Sequence, residues 1–295
     1  MSYTVFTDSA SNLPGKYIQG MDIRPLPCSY LLDGQEGTYY GDIDAFDSKG
    51  YYDKLRNGSR MKTSLLNSQL FQDYFRPELE KGLDVVYVGL SSGVSGTFQA
   101  AKIAAEELME EFPERTVYTV DSLGASFGPG LLAVRAAQLR SQGKTAAEAG
   151  AILDEEVMYT LNFFTVDDLN FLKATGRVSG ATAAIGTVLS IKPILWGDMT
   201  GHITALSKVR GRKKSLEALA ELYRKHLPDE GQVEMLFISH GDCPEDAQAL
   251  VELINAIRPP KEITVCPHEP FTGSHVGPGM LALYFQGKHR NLEVK

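Results

Sequence analysis

The sequence has few of the residues that build disulfide frameworks, zinc sites or membrane spans. Only three cysteines occur among 295 residues, and they show no C-x-x-C spacing, so we expect neither a disulfide framework nor a metal. No apolar run approaches the roughly 18 residues of a spanning helix, so we expect no stable membrane insertion. Residues 1–4 lack the basic and apolar regions of a signal peptide, and we therefore expect a cytoplasmic protein.

Basic charge is also scarce. The chain has 29 Lys and Arg against 37 Asp and Glu, which gives a formal net charge of -8. Nucleic-acid affinity comes mostly from basic contacts to phosphates, so we expect no nucleic-acid partner. No G-x-x-x-x-G-K-[ST] string occurs, so the chain lacks a Walker-type ATP site. The content of 43% hydrophobic and 22% charged residues is ordinary for a globular protein.

The first half of the chain repeats one pattern three times. Strand-like segments at 3–6, 83–90 and 116–120 each run into a turn rich in serine, aspartate or glycine, and then into a helical segment. This alternation predicts parallel βαβ units and a Rossmann-like α/β domain over residues 1–160. A stretch with several prolines, glycines and tyrosines, at about 21–62, predicts a small β insertion in that domain.

The pattern changes after residue 160. Strand candidates alternate more strictly there, and helices are predicted over 215–226 and 246–257 between them. We therefore expect a second, smaller α/β domain with a mixed sheet over residues 161–295.

The turns of the first domain carry the residues best suited to binding. Ligands of parallel sheets bind beyond the carboxyl ends of the strands, which is where these turns lie. We expect one edge of the sheet to carry Asp8, Ser9, Ser91, Ser95, Asp121 and Ser122.

Residues 91–97, with the sequence SSGVSGT, form the most informative turn. Ser95 or Thr97 can cap the helix that follows, and free N–H groups at its start would favour an anion. A capped turn without a ligand is the competing interpretation. Three serines and two glycines in seven residues exceed what capping needs.

The same turn contains a G-x-S-x-G string at residues 89–93, which in α/β-hydrolases holds a nucleophilic serine. The chain order Ser91, Asp242, His275 also matches serine, acid and base. Against this, further loop residues with another glycine separate Ser91 from the helix, and the long series of parallel strands is missing. A small-molecule serine esterase using Ser91 therefore stays as an alternative hypothesis.

Histidines and a basic cluster give the remaining candidates. His275 lies in a glycine-rich segment, where its ring either contacts a ligand or bonds to backbone. His240 and His268 are interpreted as structural because no third metal ligand accompanies them. The basic cluster, at residues 208–214, precedes a predicted helix, where cations oppose the helix dipole. It is either a solvated charge run or a surface that faces a partner or a phosphate.

Nine segments, taken as an ordered set, resemble the DegV family of fatty-acid-binding proteins. They are TDSASNLP at 7–14, MKTS at 61–64, SSGVSGT at 91–97, VDS at 120–122, GRV at 176–178, IKPIL at 191–195, RGRKK at 210–214, HGD at 240–242 and HVGPG at 275–279. The resemblance covers nearly the whole chain. It implies two α/β domains that bind one long-chain fatty acid, such as palmitate, between them, and a lipid carrier rather than an enzyme.

The resemblance also implies site residues. The carboxylate contacts of the family carry over to Thr63 and Ser95, with His275 close to the head group. One departure is that Leu65 and Leu66 stand where the family commonly has Gln-Pro. The bound fatty acid would be the ligand, with no cofactor besides it.

A protein partner is implied as well. Some family members present the carboxylate to a fatty acid kinase, and the arginine of the Gly-Arg motif, here Arg177, is implicated in that partnership. We expect Arg210 and Arg212 of the basic cluster to face the same partner.

Overall fold

The computed structural model describes residues 2–178 and 190–291, and the chain divides into two compact units. Unit 1 consists of Met1–Phe46 and Met61–Val157, and unit 2 consists of Asp47–Arg60 and Met158–Lys295. The predicted boundary after residue 160 lies close to the change from unit 1 to unit 2. The segment 47–60 belongs to unit 2, so the two units are similar in length.

Unit 1 is built on a four-stranded parallel sheet. Up to residue 157 the strands are β1 Tyr3–Asp8, β2 Ile23–Leu26, β3 Cys28–Leu32, β4 Gln35–Tyr39, β5 Met61–Thr63, β6 Asp84–Gly89 and β7 Val117–Asp121. The main sheet has the order β2-β1-β6-β7, and all its pairings are parallel. Every residue of β1 and β6 is buried, as in strands that are covered on both faces. The predicted α/β parallel sheet is thus confirmed.

The helices of unit 1 cover this sheet. The helices up to residue 157 are α1 Gly15–Gly20, α2 Ser48–Arg56, α3 Ser68–Glu80, α4 Thr97–Glu111, α5 Phe127–Ser141 and α6 Ala146–Glu156, and a 3-10 turn spans Ser9–Ser11. Helix α5 is buried over nearly its whole length and packs on β1 and β6. Helix α6 begins with a capping box, in which Thr145 and Glu148 bond to each other's backbone N–H groups.

The predicted β insertion at about 21–62 is present only in part. Strand β2 joins the main sheet, while β3, β4 and β5 form a separate antiparallel sheet in the order β4-β3-β5. The stretch also contains helix α2, which the sequence did not predict and which belongs to unit 2, and loops flank this helix.

Helix α2 has a short but complete set of helix signals. The Asp47 carboxylate accepts the Gly50 N–H at 3.0 Å and caps the first turn. Arg56, at the last turn, forms an ion pair with the Asp242 carboxylate and donates to the Asp242 carbonyl at 3.0 Å. The buried residues of the helix are Tyr51, Tyr52 and Leu55. Nine residues are too few for this pattern to stand out among the neighbouring glycines.

Unit 2 is built on a mixed sheet, as predicted. Its strands are β8 Thr160–Thr165, β9 Ile191–Gly197, β10 Ile203–Arg210, β11 Met235–His240, β12 Glu262–Pro267 and β13 Leu281–Gln286. Their order is β10-β9-β8-β13-β11-β12, and only the β11–β12 pair is parallel among the pairings of these strands.

Two long helices pack on the core of unit 2. The helices from residue 158 onward, within the described residues, are α7 Asn170–Thr175, α8 Arg212–His226, α9 Pro244–Ile257 and α10 Pro270–Val276. Helices α8 and α9 confirm the two predicted helices and begin slightly earlier. Tyr223 of α8 meets Phe285 of β13 edge to face, with ring centroids 5.0 Å apart. Across the described ranges, no helix combines the length and apolarity that crossing a bilayer requires.

We expect Arg56→Ala to weaken the attachment of α2 within unit 2. The variant loses the ion pair with the Asp242 carboxylate and the hydrogen bond to the Asp242 carbonyl. Because the Asp242 side chain is less exposed than that of Arg56, the free energy of unfolding should fall by about 1 kcal/mol. Urea unfolding and amide exchange of α2 measure this. Arg224→Ala, which removes an exposed pair with Glu221, is the matched control and should change little. Equal losses in both variants would contradict the prediction.

Candidate functional site

The loops that follow β1, β6 and β7 meet at the carboxyl edge of the parallel sheet in unit 1. The Leu90 N–H donates to the Asp8 carboxylate at 2.8 Å, and the Ser92 N–H donates to the Asp121 carboxylate at 3.1 Å. The Ser122 N–H donates to the carbonyl of Gly89 at 3.3 Å. The edge predicted from the sequence is therefore present, and its acidic side chains bind neighbouring loops.

Asp8 is the buried anchor of this edge. Its side chain is 1% exposed, and one carboxylate oxygen accepts both the Leu90 N–H and the Tyr87 hydroxyl, the latter at 3.2 Å. Burial raises the pKa of Asp8 to about 6. The contact to Leu90 fixes the backbone immediately before the 91–97 turn.

Internal hydrogen bonds close the 91–97 turn. The Ser91 carbonyl accepts the N–H groups of Val94 and Ser95, both at 3.2 Å, and the Ser91 hydroxyl accepts the Gly93 N–H at 3.0 Å. The Ser95 hydroxyl accepts the Thr97 N–H at 3.2 Å, so Ser95 satisfies one of the donors at the start of α4. The N-cap of α4 is nevertheless Gly96, so the predicted cap is found at neither Ser95 nor Thr97, and the half-buried Ser95 lies one residue before the N-cap.

One hydroxyl joins the loops that carry Thr63 and Ser95. Thr63 ends β5 opposite Tyr30, and shortly after it the Leu66 N–H donates to the Thr97 hydroxyl oxygen at 3.3 Å. The Ser95 hydroxyl donates to the same oxygen at 3.0 Å. Both predicted carboxylate contacts therefore lie in unit 1 on loops bonded to Thr97. The sequence marked Thr97 only as a cap, because its partner at Leu66 is distant along the chain.

His275 and Arg177 lie near each other in unit 2. His275 is half-buried in the last turn of α10, and burial, followed by the positive charge of Arg177, lowers the pKa of His275 to about 4. The imidazole is therefore neutral at pH 7. The half-buried Arg177 guanidinium donates to the carbonyl of Thr175, at the end of α7.

The two arginines of the basic cluster differ in their surroundings. Arg210 ends β10, at the edge of the sheet, and is exposed. Arg212 begins α8, donates to the Asp246 carboxylate at 2.8 Å and lies 3.6 Å from an oxygen of Asp167. These bonds hold the Arg212 side chain within unit 2.

The structure gives little support to the hydrolase pattern of Ser91, Asp242 and His275. Ser91 is 1% exposed, whereas a nucleophile elbow presents its serine. Ser91 lies in unit 1, and all six histidines lie in unit 2. In unit 2 the Asp242 carboxylate is paired with Arg56. Within residues 2–178 and 190–291, no group of three or more His, Cys, Asp or Glu side chains is placed to hold a metal ion.

Comparison with known proteins shows the family. The profile of one family, described as "Uncharacterised protein, DegV family", matches residues 2–288. The chain belongs to the DegV family. A DegV domain-containing protein of Clostridium perfringens is 38% identical over 286 residues, which is 97% of each chain.

Solved structures of DegV proteins share this fold. A DegV family protein from Thermus thermophilus, described by its fatty acid binding, is 30% identical with a TM-score of 0.86, over 97% of this chain and 100% of that one. DegV of Bacillus subtilis, described as a fatty acid binding protein, is 29% identical with a TM-score of 0.82, over 98% and 100%. The DegV fold therefore covers both units.

The neighbouring residues Leu65 and Leu66 have two different environments. Leu65 is 56% exposed, and Leu66 is 4% exposed. A Cβ built on Gly96 would lie 3.6 Å from the Leu65 side chain. An apolar side chain therefore borders the Ser95–Gly96 turn in this DegV protein.

Asp8 should make the stability of this DegV protein depend on pH. The folded-state pKa near 6 exceeds the unfolded value near 4, so the folded state binds the proton more tightly. Between pH 4 and 6 this group stabilises the fold as pH falls, by up to roughly 3 kcal/mol. In Asp8→Asn this contribution is lost. In urea unfolding, the free energy of unfolding of the wild type should therefore rise relative to that of the variant as pH falls through this window. Exposed Asp73→Asn controls for the lost charge, and a difference independent of pH would contradict the prediction.

Proposed function

We propose that the protein is a carrier that binds one long-chain fatty acid between its two domains and presents the carboxylate. Thr63 and Ser95 hold the carboxylate, and His275 assists. The observation that carries the proposal is the pair of hydrogen bonds that brings the Thr63 and Ser95 loops to the Thr97 hydroxyl. The DegV proteins of Thermus thermophilus and Bacillus subtilis, which are described by their fatty acid binding, support the choice of ligand.

The chemistry of the proposed head-group contacts is that of neutral donors. A carboxylate only accepts hydrogen bonds, so Ser95 must turn its O–H from Thr97 toward the ligand, and His275 offers a ring N–H. Each hydrogen bond to the charged group contributes about 1.5–3 kcal/mol. Burial of about a dozen methylenes contributes roughly 10 kcal/mol before the cost of association. The tail therefore sets the affinity, and the polar residues set the direction of the ligand.

The proposed use of the bound acid is transport or phosphorylation by a fatty acid kinase in the cytoplasm. In the second case a carboxylate oxygen attacks the terminal phosphorus of ATP and gives an acyl phosphate and ADP. The partner supplies the ATP site, since this sequence has no Walker-type string. Arg177, close to His275, and the exposed Arg210 are the proposed partner-facing residues. Arg212 is bonded to Asp246 and Asp167, and we propose that it supports the partner-facing surface from within unit 2.

The first test identifies what the purified protein holds. Native mass spectrometry followed by denaturing extraction should release a stoichiometric C14–C18 fatty acid. In Thr63→Val/Ser95→Ala two donors to the carboxylate are lost, so the affinity for added palmitate should fall by at least about 10-fold.

The control is Ser141→Ala, which removes an exposed serine hydroxyl from the end of α5 and should leave binding unchanged. A protein that is empty and takes up no palmitate would overturn the carrier proposal. The esterase alternative is tested in parallel, because turnover of short ester substrates that is abolished by Ser91→Ala would support catalysis by Ser91 instead.

Arg210→Glu tests the partner surface. The exposed side chain lies on an edge strand, so the reversed charge should leave palmitate affinity unchanged. With a fatty acid kinase present, acyl phosphate formation at subsaturating carrier should fall by about 10-fold or more, since like charges across an interface are repulsive. Glu217→Lys, an exposed charge reversal on the neighbouring helix α8, is the control. An unchanged rate in Arg210→Glu would exclude this residue from the partner surface.

A further inference from the structure

Helix α10, which carries His275, depends on contacts from outside the helix. It spans only Pro270–Val276, and helices of seven residues are not stable by themselves in water. Its N-cap is Glu269, whose side chain is 0% exposed. The Glu269 carboxylate accepts the N–H of Phe271 at 2.6 Å and the N–H of Thr272 at 2.9 Å, and it also accepts the Thr272 hydroxyl.

A buried histidine extends this cap to the central sheet of unit 2. The ring of His268 lies 2.7 Å from the Thr272 hydroxyl through Nε2, and 2.7 Å from the Ser239 hydroxyl through Nδ1. An ionised Glu269 only accepts hydrogen bonds, so the Thr272 hydroxyl then donates to it and the Thr272 oxygen accepts from Nε2–H of His268. Nδ1 then accepts the Ser239 hydroxyl. The chain of bonds runs in one direction, from Ser239 on β11 to the cap of α10.

This direction requires a neutral imidazole. Burial, and next the neighbouring His240, lowers the pKa of His268 to about 3. The ring therefore has one donor and one acceptor at pH 7, which are the two roles that the network uses. The network assigns the Nε2–H tautomer.

Two tyrosines of α2 hold the same turn from another side. The Tyr51 hydroxyl donates to the Pro270 carbonyl at 2.8 Å, and the Tyr52 hydroxyl donates to the His268 carbonyl at 3.0 Å. A Cβ added to Gly273 would lie 2.6 Å from the Tyr52 hydroxyl oxygen. Glycine at this position therefore lets the tyrosine approach the backbone of α10 closely.

We propose that Tyr51 and Tyr52, together with the Ser239–His268–Thr272–Glu269 chain, are positioning residues that set the direction of His275 toward a fatty-acid carboxylate. The inference rests on the proposed function. A neutral imidazole offers a single N–H, and hydrogen bonds weaken steeply with misalignment. A small rotation of α10 would therefore break the hydrogen bond from His275 to the carboxylate while leaving the fold intact.

The chain offers a matched control for the tyrosines. In unit 2 the buried Tyr223 hydroxyl donates to the Arg258 carbonyl at 2.7 Å, which is the same kind of bond away from α10. Tyr223→Phe and Tyr51→Phe/Tyr52→Phe should both lower stability. Only the double variant should weaken palmitate binding, by about 3- to 10-fold.

A second readout reports on His275 without any ligand. In a sample with 15N-labelled histidine, the double variant should raise the pKa of His275 from about 4 toward 6.5, because a loosened α10 exposes the ring to water. Tyr223→Phe should leave this titration unchanged. If the wild type bound no palmitate, the proposed function would fail, and this titration would still decide the positioning role.

Thr272 provides an independent rescue test. Thr272→Val keeps the side-chain shape but removes the hydroxyl that links His268 to Glu269, whereas Thr272→Ser keeps the hydroxyl. The valine variant should alter the His268 ring signals, shift the His275 titration and weaken palmitate binding, and the serine variant should restore all three. The proposal is overturned if the tyrosine double variant and Thr272→Val leave the His275 titration as in the wild type.

Discussion

Three neighbouring parallel strands of unit 1 end at one edge, and the backbone groups released there must find new hydrogen-bond partners. Buried or partly buried carboxylates meet part of this need. The Asp8 carboxylate accepts the Leu90 N–H, and the Asp121 carboxylate accepts the Ser92 N–H. The loop that leads to Ser95 is therefore held on either side of Ser91. The proposed head-group contacts depend on this arrangement, because a loop without such anchors could not keep a hydroxyl in a defined direction.

Unit 2 uses a similar device at α10. Glu269, like Asp8, is a fully buried carboxylate that accepts backbone N–H groups in the turn leading to a proposed ligand residue. Burying a carboxylate is costly, and hydrogen bonds from several donors offset that cost. In both units a buried carboxyl group therefore orders a turn, whereas the residue proposed to contact the ligand is itself neutral.

The sequence predicts much of this fold and less of the site. Strand-turn-helix repeats predict the parallel sheet, and stricter alternation after residue 160 predicts the mixed one, since both patterns follow from burial of strand faces. Helix α2 was missed because its apolar face is only two turns long. The roles of Thr97 and Tyr52 could not be read from the sequence either. Each depends on a partner distant in the chain, at Leu66 and His268, and local patterns carry no information on such pairs.

The placement of α2 has a consequence for synthesis on the ribosome. Residues 47–60 leave the exit tunnel long before their partners His268 and Pro270, which lie more than two hundred positions later. All residues of unit 1 have been synthesised once the chain reaches position 157. At that point the partners of α2 in unit 2 are still missing, so the apolar face of α2 is exposed to water. A nascent or truncated chain of this length therefore displays two tyrosines and a leucine, a short apolar patch of the kind that chaperones bind.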